Sequence, residues 1–284
     1  MKIGVSGASG HLGQNVLSIL AARGEGHTTI GVSRTPAAVA APAEGREGDY
    51  DRPDSLLQAY QGLDRLLIIP SADLRPGVRG RQLKAAIDAA RQAGVAHVVL
   101  VSAAGTKEAA EPSIGAPYWA AEQHLIRTVP RWTILRMNYY AESMADEVKA
   151  SLGAGVLSGL GQERVAYVSR EDVAAAAAGI LTGEDHNGAI YNATGTAVVT
   201  GEERAAIASE LSGTPVGFAV FTQEQLAGAL AEAGLPEPVV NVVLDIKRNF
   251  VAGAFDIVTS DVERLAGRPA KPLRDVLAAA MKAH

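Results

Sequence analysis

The chain has 284 residues, of which 48% are hydrophobic and 20% are charged, a composition typical of a globular protein with a sizeable core. The formal net charge is −5, and Lys and Arg form no long cluster, which argues against nucleic acid as the main partner. Because the chain has no cysteine, disulfide bonds, catalytic thiolates and Cys-ligated zinc are excluded.

Metal sites and membrane spans are not expected either. The six histidines are scattered without the paired spacing of a metal site, so we predict no bound metal. Apolar runs stay below the roughly 18 residues that a membrane-spanning helix needs. The first residues form a strand pattern and not a signal peptide. We therefore expect a cytoplasmic protein, with neither a membrane nor a nucleic acid as partner.

In the first half of the chain, apolar strands alternate with helices. Strands are predicted at 2–7, 27–34, 65–70, 97–105 and 132–136, with a short strand near the end of 35–48. Helices are predicted at 11–23, 55–63, 80–94 and 118–128. Continuous apolar strands separated by helices are typical of a parallel sheet that is covered on both faces. The sequence therefore predicts an α/β fold with a Rossmann-type, doubly wound parallel sheet.

In the second half of the chain, the pattern of alternating strands and helices is less regular. It predicts irregular strands within 156–168, a strand at 189–194, and helices at 171–182, 201–212, 223–234, 237–252 and 272–283. We expect residues 1–150 to form a Rossmann domain. Residues 151–284 would form a smaller, mostly helical substrate-binding lobe that is partly interwoven with the first domain.

The segment GASGHLG, residues 7–13, places three glycines at a spacing of three between a strand and a helix. In a dinucleotide-binding turn, Gly7 permits the tight turn and Gly10 lets the backbone approach a pyrophosphate, while Gly13 allows close packing of helix on strand. The N–H groups at the start of the helix favour phosphate. The alternative is a tight turn that binds no ligand.

The end of the second strand predicts which nicotinamide nucleotide is bound. A carboxylate about 20 residues after the glycines would bind the ribose 2′-hydroxyl of NAD. This chain has Ser33 and Arg34 there, and a guanidinium suits a 2′-phosphate. We therefore predict NADP(H) as the cofactor, the alternative being that Arg34 is a solvated surface residue.

Six segments of the chain form a longer pattern: GASGHLG, VSRTP, GDYDRPDSL (48–56), AAIDAARQAGVAHVVLVSAAG (85–105), WTILRMNYYAE (132–142) and VSREDVAAAAAGIL. Together they resemble the NmrA-like group of atypical short-chain dehydrogenases, and within it the NADPH-dependent quinone and triphenylmethane-dye reductases. The likeness continues through residues 216–238 and 265–281, and so spans essentially the whole chain. It implies hydride transfer from NADPH to a quinone or similar flat electrophile. The alternative, also found in NmrA-like proteins, is a redox-sensing regulator that binds NADP(H) without turnover.

The resemblance also implies a cofactor site, position by position. Its members would be Gly7, Ser9, Gly10, His11, Leu12 and Gly13 in the turn, Arg34 at the 2′-phosphate, Ile69, Pro70 and Ser71 beside the ribose and pyrophosphate, Asn138, Tyr139 and Tyr140 near the nicotinamide, and Arg170. The two tyrosines would stack on an aromatic acceptor or, alternatively, pack between the two lobes.

The segment APYWAAEQHL lacks the Tyr–Lys pair with which ordinary short-chain dehydrogenases transfer a proton. Tyr118 is followed four residues later by Glu122, whose carboxylate would raise the pKa of the phenol. The catalytic candidates are Tyr118, Asn138 and Tyr140. Tyr118 would line the site without being an obligatory acid, or would be a partly buried aromatic residue of a helix. A quinone or a cationic dye accepts hydride directly, so the missing pair is compatible with reduction.

Overall fold

In the computed structural model, which describes residues 1–282, seven strands form one large sheet. The strands of the chain are β1 (Lys2–Ser6), β2 (Thr28–Ser33), β3 (Glu44–Glu47), β4 (Arg65–Ile68), β5 (His97–Ala103), β6 (Trp132–Met137), β7 (Val156–Gly159), β8 (Arg164–Val165), β9 (Ala189–Ala193), β10 (Val199–Thr200) and β11 (Gly217–Val220). The order in the large sheet is β3-β2-β1-β4-β5-β6-β9. Strand β1 pairs in parallel with β2 and β4, and Ile3 lies opposite Thr29 on one side and Arg65 on the other.

The strand order determines where a ligand is expected. Chain connections run outward from β1 in one direction to β3 and then return to β4 on the other side of β1. This reversal opens a crevice beyond the carboxyl ends of β1 and β4, which is where doubly wound sheets bind their ligands. Gly7 follows β1 and Ile69 follows β4, so both lie at this crevice.

Helices cover both faces of the sheet. The helices of the chain are α1 (His11–Arg23), α2 (Pro53–Tyr60), α3 (Val78–Gln92), α4 (Ala116–Thr128), α5 (Ala141–Ser151), α6 (Arg170–Thr182), α7 (Gly201–Ser212), α8 (Gln223–Glu232), α9 (Glu237–Val251), α10 (Asp261–Ala266) and α11 (Leu273–Lys282). Helix α6 packs against α1 and α10, and α3 packs between α2 and α4. Leu66, Ile68 and Leu100 of the sheet join Leu83 and Ile87 of α3 in a buried cluster. The predicted Rossmann-type α/β fold is confirmed.

The chain divides into two compact units, each made of separate stretches. The first unit comprises Met1–Arg136, Arg170–Ala193 and Asp261–Arg268, and the second comprises Met137–Ser169, Thr194–Ser260 and the residues from Pro269 onward. The first unit contains the large sheet with its helices. The domain boundary that the sequence predicts at residue 150 stays a prediction.

The second unit is mostly helical, and two of its helices begin with a capping box. Thr200 accepts from the backbone N–H of Glu203 at the start of α7, and Thr222 does the same for Gln225 at the start of α8. Helix α11 packs against α5 and α7, and α8 against α9. Strand β11 pairs in parallel with β7, and β10 pairs antiparallel with β8. The last residue of the helix predicted at 272–283 lies outside the described residues.

Residues 1–282, which the structure describes, lack two kinds of feature. None of their helices has both the length and the apolar character that crossing a bilayer requires. In the same range, no group of three or more His, Asp and Glu side chains is arranged to hold a metal ion.

Candidate functional site

The three glycines of the turn after β1 have three different environments. Gly7 has a φ of +90°, which side chains rarely adopt. A Cβ at Gly13 would overlap the carbonyl oxygen of Gly7, so α1 approaches the turn too closely for any larger residue. A Cβ at Gly10 would come no closer than 3.5 Å to a neighbouring atom, the oxygen of Gly7. Gly10 therefore leaves open the space in which a phosphate would lie.

The start of α1 provides donors next to this open space. Gly10 is the N-cap residue, and no side chain caps the helix. The first N–H groups of a helix have no partner within it, and the helix dipole favours an anion there. Ser9 and His11 are exposed, and Leu12 is one of the buried residues of α1. The side-chain amide of Gln14 donates to the carbonyl of Ser9 at 2.9 Å. The turn thus fits the pyrophosphate of a dinucleotide.

Arg34 lies directly beyond the carboxyl end of β2. Its side chain is exposed and makes no hydrogen bond or ion pair within residues 1–282. The hydroxyl of Ser33 accepts from the backbone N–H of Thr35 at 3.0 Å, which fixes the backbone on either side of Arg34. Arg34 therefore follows β2 at the carboxyl edge of the sheet, and all five donors of its guanidinium are available for a phosphate.

The segment after β4 runs beside the glycine turn. The N–H of Ile69 donates to the carbonyl of Ser6 at 3.1 Å, and the phenol of Tyr50 donates to the carbonyl of Ile69 at 2.7 Å. After Pro70, the hydroxyl of Ser71 donates to the side-chain carbonyl of Gln82 at 2.5 Å. The structure therefore brings 69–71 to the same sheet edge as the turn.

Tyr118 is buried in α4 and lies next to a cation that the sequence analysis did not single out. A guanidinium Nη1 of Arg79 lies 3.3 Å from the phenol oxygen, and the guanidinium carbon is 5.4 Å from the ring centre. The Nε–H of the same arginine donates to the backbone carbonyl of Ser71 at 2.9 Å. Burial raises the pKa of Tyr118, and the charge of Arg79 opposes that rise.

Glu122 does not act on Tyr118 in the way that the sequence predicts. Its carboxylate is fully buried and accepts from both Nε and Nη2 of Arg136, and from the hydroxyl of Ser102 at 2.6 Å. The pKa of Tyr118 is raised as expected, but the cause is the burial of the phenol and not the charge of Glu122. Glu122 therefore has a structural partner of its own.

Asn138 and Tyr139 belong to the second unit and are engaged there. Asn138 is buried, its amide N–H donates to the carbonyl of Phe255 at 3.1 Å, and its amide oxygen accepts from the backbone N–H of Tyr139 at 2.7 Å. The ring of Tyr139 meets those of Tyr167, Phe250 and Phe255 edge to face, at 5.0–6.4 Å between ring centres. Both residues thus contribute to the packing of the second unit. Their roles in binding a cofactor stay predictions.

The two remaining candidates lie at helix starts. Tyr140 precedes α5, and its backbone bridges to Val168 within the second unit. Arg170 is half-buried and is the first residue of α6 in the first unit. Their predicted contacts with a nicotinamide nucleotide stay predictions.

The first unit therefore gathers the glycine turn, Arg34 and 69–71 at one sheet edge. Arg79 was missed by sequence reasoning because an arginine in the first turn of a helix carries no motif. Its importance depends on the distant Tyr118, from which it is separated by 39 positions. The pairing of Glu122 with Arg136 was missed because it joins α4 to β6, and the local sequence does not show which elements pack together.

Comparisons with known proteins place this site in context. The family described as NAD(P)H-binding matches residues 7–184. The chain is 30% identical, over 95% of both chains, to the (4-alkanoyl-5-oxo-2,5-dihydrofuran-3-yl)methyl phosphate reductase of Streptomyces griseus. The NADPH complex of the quinone oxidoreductase QOR2 from Escherichia coli is similar, with a TM-score of 0.89 and 27% identity, over 98% of this chain and 99% of that one. The NADP(H) complex of the triphenylmethane reductase from Citrobacter sp. gives a TM-score of 0.88 and 28% identity, over 99% and 100%.

Proposed function

The chain belongs to the NAD(P)H-binding family, and on that premise we propose that it is an NADPH-dependent reductase of quinones or similar flat electrophiles. The observation that carries the proposal is its full-length similarity to reductases, two of which were crystallised with NADPH or NADP(H). The environments of the three glycines support it, since each matches one requirement of a dinucleotide turn.

The chain's own residues would hold the cofactor at the edge of the sheet. The uncapped start of α1 faces the open space at Gly10 and would bind the pyrophosphate. Arg34 would bind the 2′-phosphate, which favours NADPH over NADH. When bound, the nicotinamide supplies the hydride, and the protein's task is to orient it against the acceptor.

Flat electrophiles that accept hydride without a proton donor suit the first unit, which lacks the usual Tyr–Lys pair. The E. coli relative is named for quinones and the Citrobacter relative for triphenylmethane dyes, and both acceptor types take hydride without prior protonation. This suits a chain in which the position of the usual lysine holds Glu122, paired with Arg136. We therefore infer reduction by direct hydride transfer. The cytoplasmic location stays a prediction.

The experiment that tests the proposal follows NADPH absorbance with a panel of quinones and one cationic triphenylmethane dye. We expect turnover with NADPH and much weaker turnover with NADH. The variant Gly10→Val serves as the matched control for background reduction, because it should fold without holding the cofactor. Binding of NADPH without reduction of any acceptor would contradict the proposal and favour the redox-sensing regulator.

A further inference from the structure

The donor and the acceptor of the hydrogen bond between Arg79 and Tyr118 follow from the chemistry of the two side chains. Arginine carries five N–H donors and no acceptor, so in this pair the phenol oxygen must accept. The distance from Nη1 to that oxygen is 3.3 Å, and Tyr118 is only 6% exposed. The phenol's own hydrogen has no acceptor among residues 1–282, and a buried donor without a partner is costly. Tyr118 therefore holds a donor that a ligand can use.

Arg79 also links the phenol of Tyr118 to the segment after β4, which borders the crevice at the carboxyl edge of the sheet. Its Nε–H bond to the carbonyl of Ser71, at 2.9 Å, anchors the guanidinium to the segment that follows β4. With one end fixed to Ser71, the guanidinium packs against the face of the Tyr118 ring as well as its oxygen. The ring is held in one orientation by two contacts from a single side chain.

We propose that Arg79 is a positioning residue, which orients Tyr118 as a neutral hydrogen-bond donor to the quinone oxygen that becomes negative on hydride transfer. This role rests on the proposed function. The pKa of Tyr118 is raised by burial, so the phenol keeps its proton at neutral pH and acts as a donor and not as a base. The cation that ordinary short-chain dehydrogenases place four residues after the tyrosine is here supplied by a different helix, α3.

The chemistry balances without a proton from Tyr118. Bound NADPH would supply a hydride with its two electrons and become NADP⁺, and the quinone that accepts this hydride would become a hydroquinone monoanion. Water then supplies the proton that completes the hydroquinone. A cationic triphenylmethane dye differs, because hydride adds to its central carbon and gives a neutral product with no oxyanion. Hydrogen-bond donors aimed at developing negative charge should therefore serve the quinone and not the dye.

This difference between acceptors provides the test. We would measure kcat and KM for 1,4-naphthoquinone and for crystal violet at saturating NADPH, together with Tm and the Kd of NADPH. The variants are Arg79→Gln, Arg79→Lys, Tyr118→Phe and the double variant Arg79→Gln/Tyr118→Phe. The matched control is Arg91→Gln, which removes an exposed arginine from the last turn of the same helix.

We expect Arg79→Gln to lower kcat for the quinone by about tenfold or more, while the dye reaction and Tm stay near wild type. Arg79→Lys should recover part of the loss, and Arg91→Gln should cost nothing. Because Arg79 acts through Tyr118, the double variant should be no slower than Tyr118→Phe.

Three results would overturn the role of Arg79. They are an unchanged quinone rate in Arg79→Gln, an equal loss with both acceptors, and losses that add in the double variant. A wild-type protein that binds NADPH but reduces neither acceptor is a different failure, because it overturns the proposed function itself.

Discussion

The guanidinium of Arg136 holds the carboxylate of Glu122 at both ends, with Nε 2.9 Å from Oε1 and Nη2 2.6 Å from Oε2. Glu122 lies on α4 and Arg136 on β6, and the hydroxyl of Ser102 at the end of β5 donates to the same carboxylate. The pair therefore joins a helix to two neighbouring strands. A lysine at position 122 would bring two cations together here and leave Ser102 without its acceptor.

Removing the cation of this pair should destabilise the fold. In Arg136→Met the carboxylate of Glu122 stays fully buried and loses its charged partner, which typically costs 3–5 kcal/mol. Because Arg136 is itself partly exposed, we expect the free energy of unfolding to fall by about 3 kcal/mol. Urea denaturation measures this, with the exposed Arg127→Met as control. A change below about 1 kcal/mol would show that the pair is a surface-type ion pair.

These contacts mark the limit of what the sequence predicts. Continuous apolar runs and the spacing of Gly7, Gly10 and Gly13 are local signals, and they were sufficient for the Rossmann-type fold and the turn. The pair Arg79–Tyr118 depends on the packing of α3 against α4, and the pair Glu122–Arg136 on the packing of α4 against β6. Nothing in the local sequence around either arginine records this.

Short strands were missed for a related reason. The last third of the chain was predicted to be helical, yet it contains β10 and β11, of two and four residues. A strand of two residues has no periodicity to detect, because alternation needs at least four positions. Strand β11 exists through its pairing with β7, about 60 positions earlier. Tertiary pairing thus defines both strands.

Two substitutions in the glycine turn, residues 7–13, should have different effects, one on NADPH binding and the other on stability. In Gly10→Val, the backbone φ of −79° and ψ of 162° suits valine, and the side chain enters open space. We expect a Tm near that of the wild type but no measurable NADPH binding. In Gly13→Ala, the new Cβ meets the carbonyl of Gly7, so Tm should fall. Thermal unfolding and fluorescence titration with NADPH distinguish the two. Normal binding by Gly10→Val would show that the turn is structural only.

Arg34 should determine the preference for NADPH. Its guanidinium has no partner within residues 1–282, so its removal costs no internal contact. Hydrogen bonds to a charged group contribute about 1.5–3 kcal/mol, which corresponds to roughly ten- to a hundredfold in Kd. We expect Arg34→Ala to weaken NADPH binding by that factor and to leave NADH binding unchanged. Arg127→Ala is the charge-matched control, and equal wild-type affinities for the two nucleotides would contradict the prediction.

Asn138 offers a test of whether a candidate catalytic residue acts through structure. Its amide bonds the carbonyl of Phe255 and the N–H of Tyr139, both within the second unit. Asn138→Leu should leave the buried carbonyl of Phe255 without the donor that Asn138 supplies, and so lower the free energy of unfolding by about 2 kcal/mol. Urea denaturation and kcat are measured together. A large loss of kcat with unchanged stability would instead support direct action at the nicotinamide.

His97 makes the stability of the first unit depend on pH. The side chain is buried on β5, and its Nε2 lies 2.8 Å from the hydroxyl of Thr133, which itself donates to the carbonyl of His186. The Thr133 oxygen must therefore accept the Nε2–H of a neutral imidazole. Burial, and then the charges of Arg65 and Arg131, lower the pKa of His97 to about 4.

The sign of the pH effect follows from this lowered pKa. The unfolded chain binds a proton at position 97 below about pH 6.5, whereas the folded protein binds it only near pH 4. The free energy of unfolding should therefore fall as the pH drops from 6.5 to 4, by roughly 1.4 kcal/mol for each unit of pKa difference. His97→Gln keeps a donor for Thr133 but cannot titrate, so its stability should vary less over this interval. Urea denaturation at half-unit steps of pH measures both proteins, with the exposed His11→Gln as control. If His97→Gln loses as much stability on acidification as the wild type, the lowered pKa of His97 is not the cause of that loss.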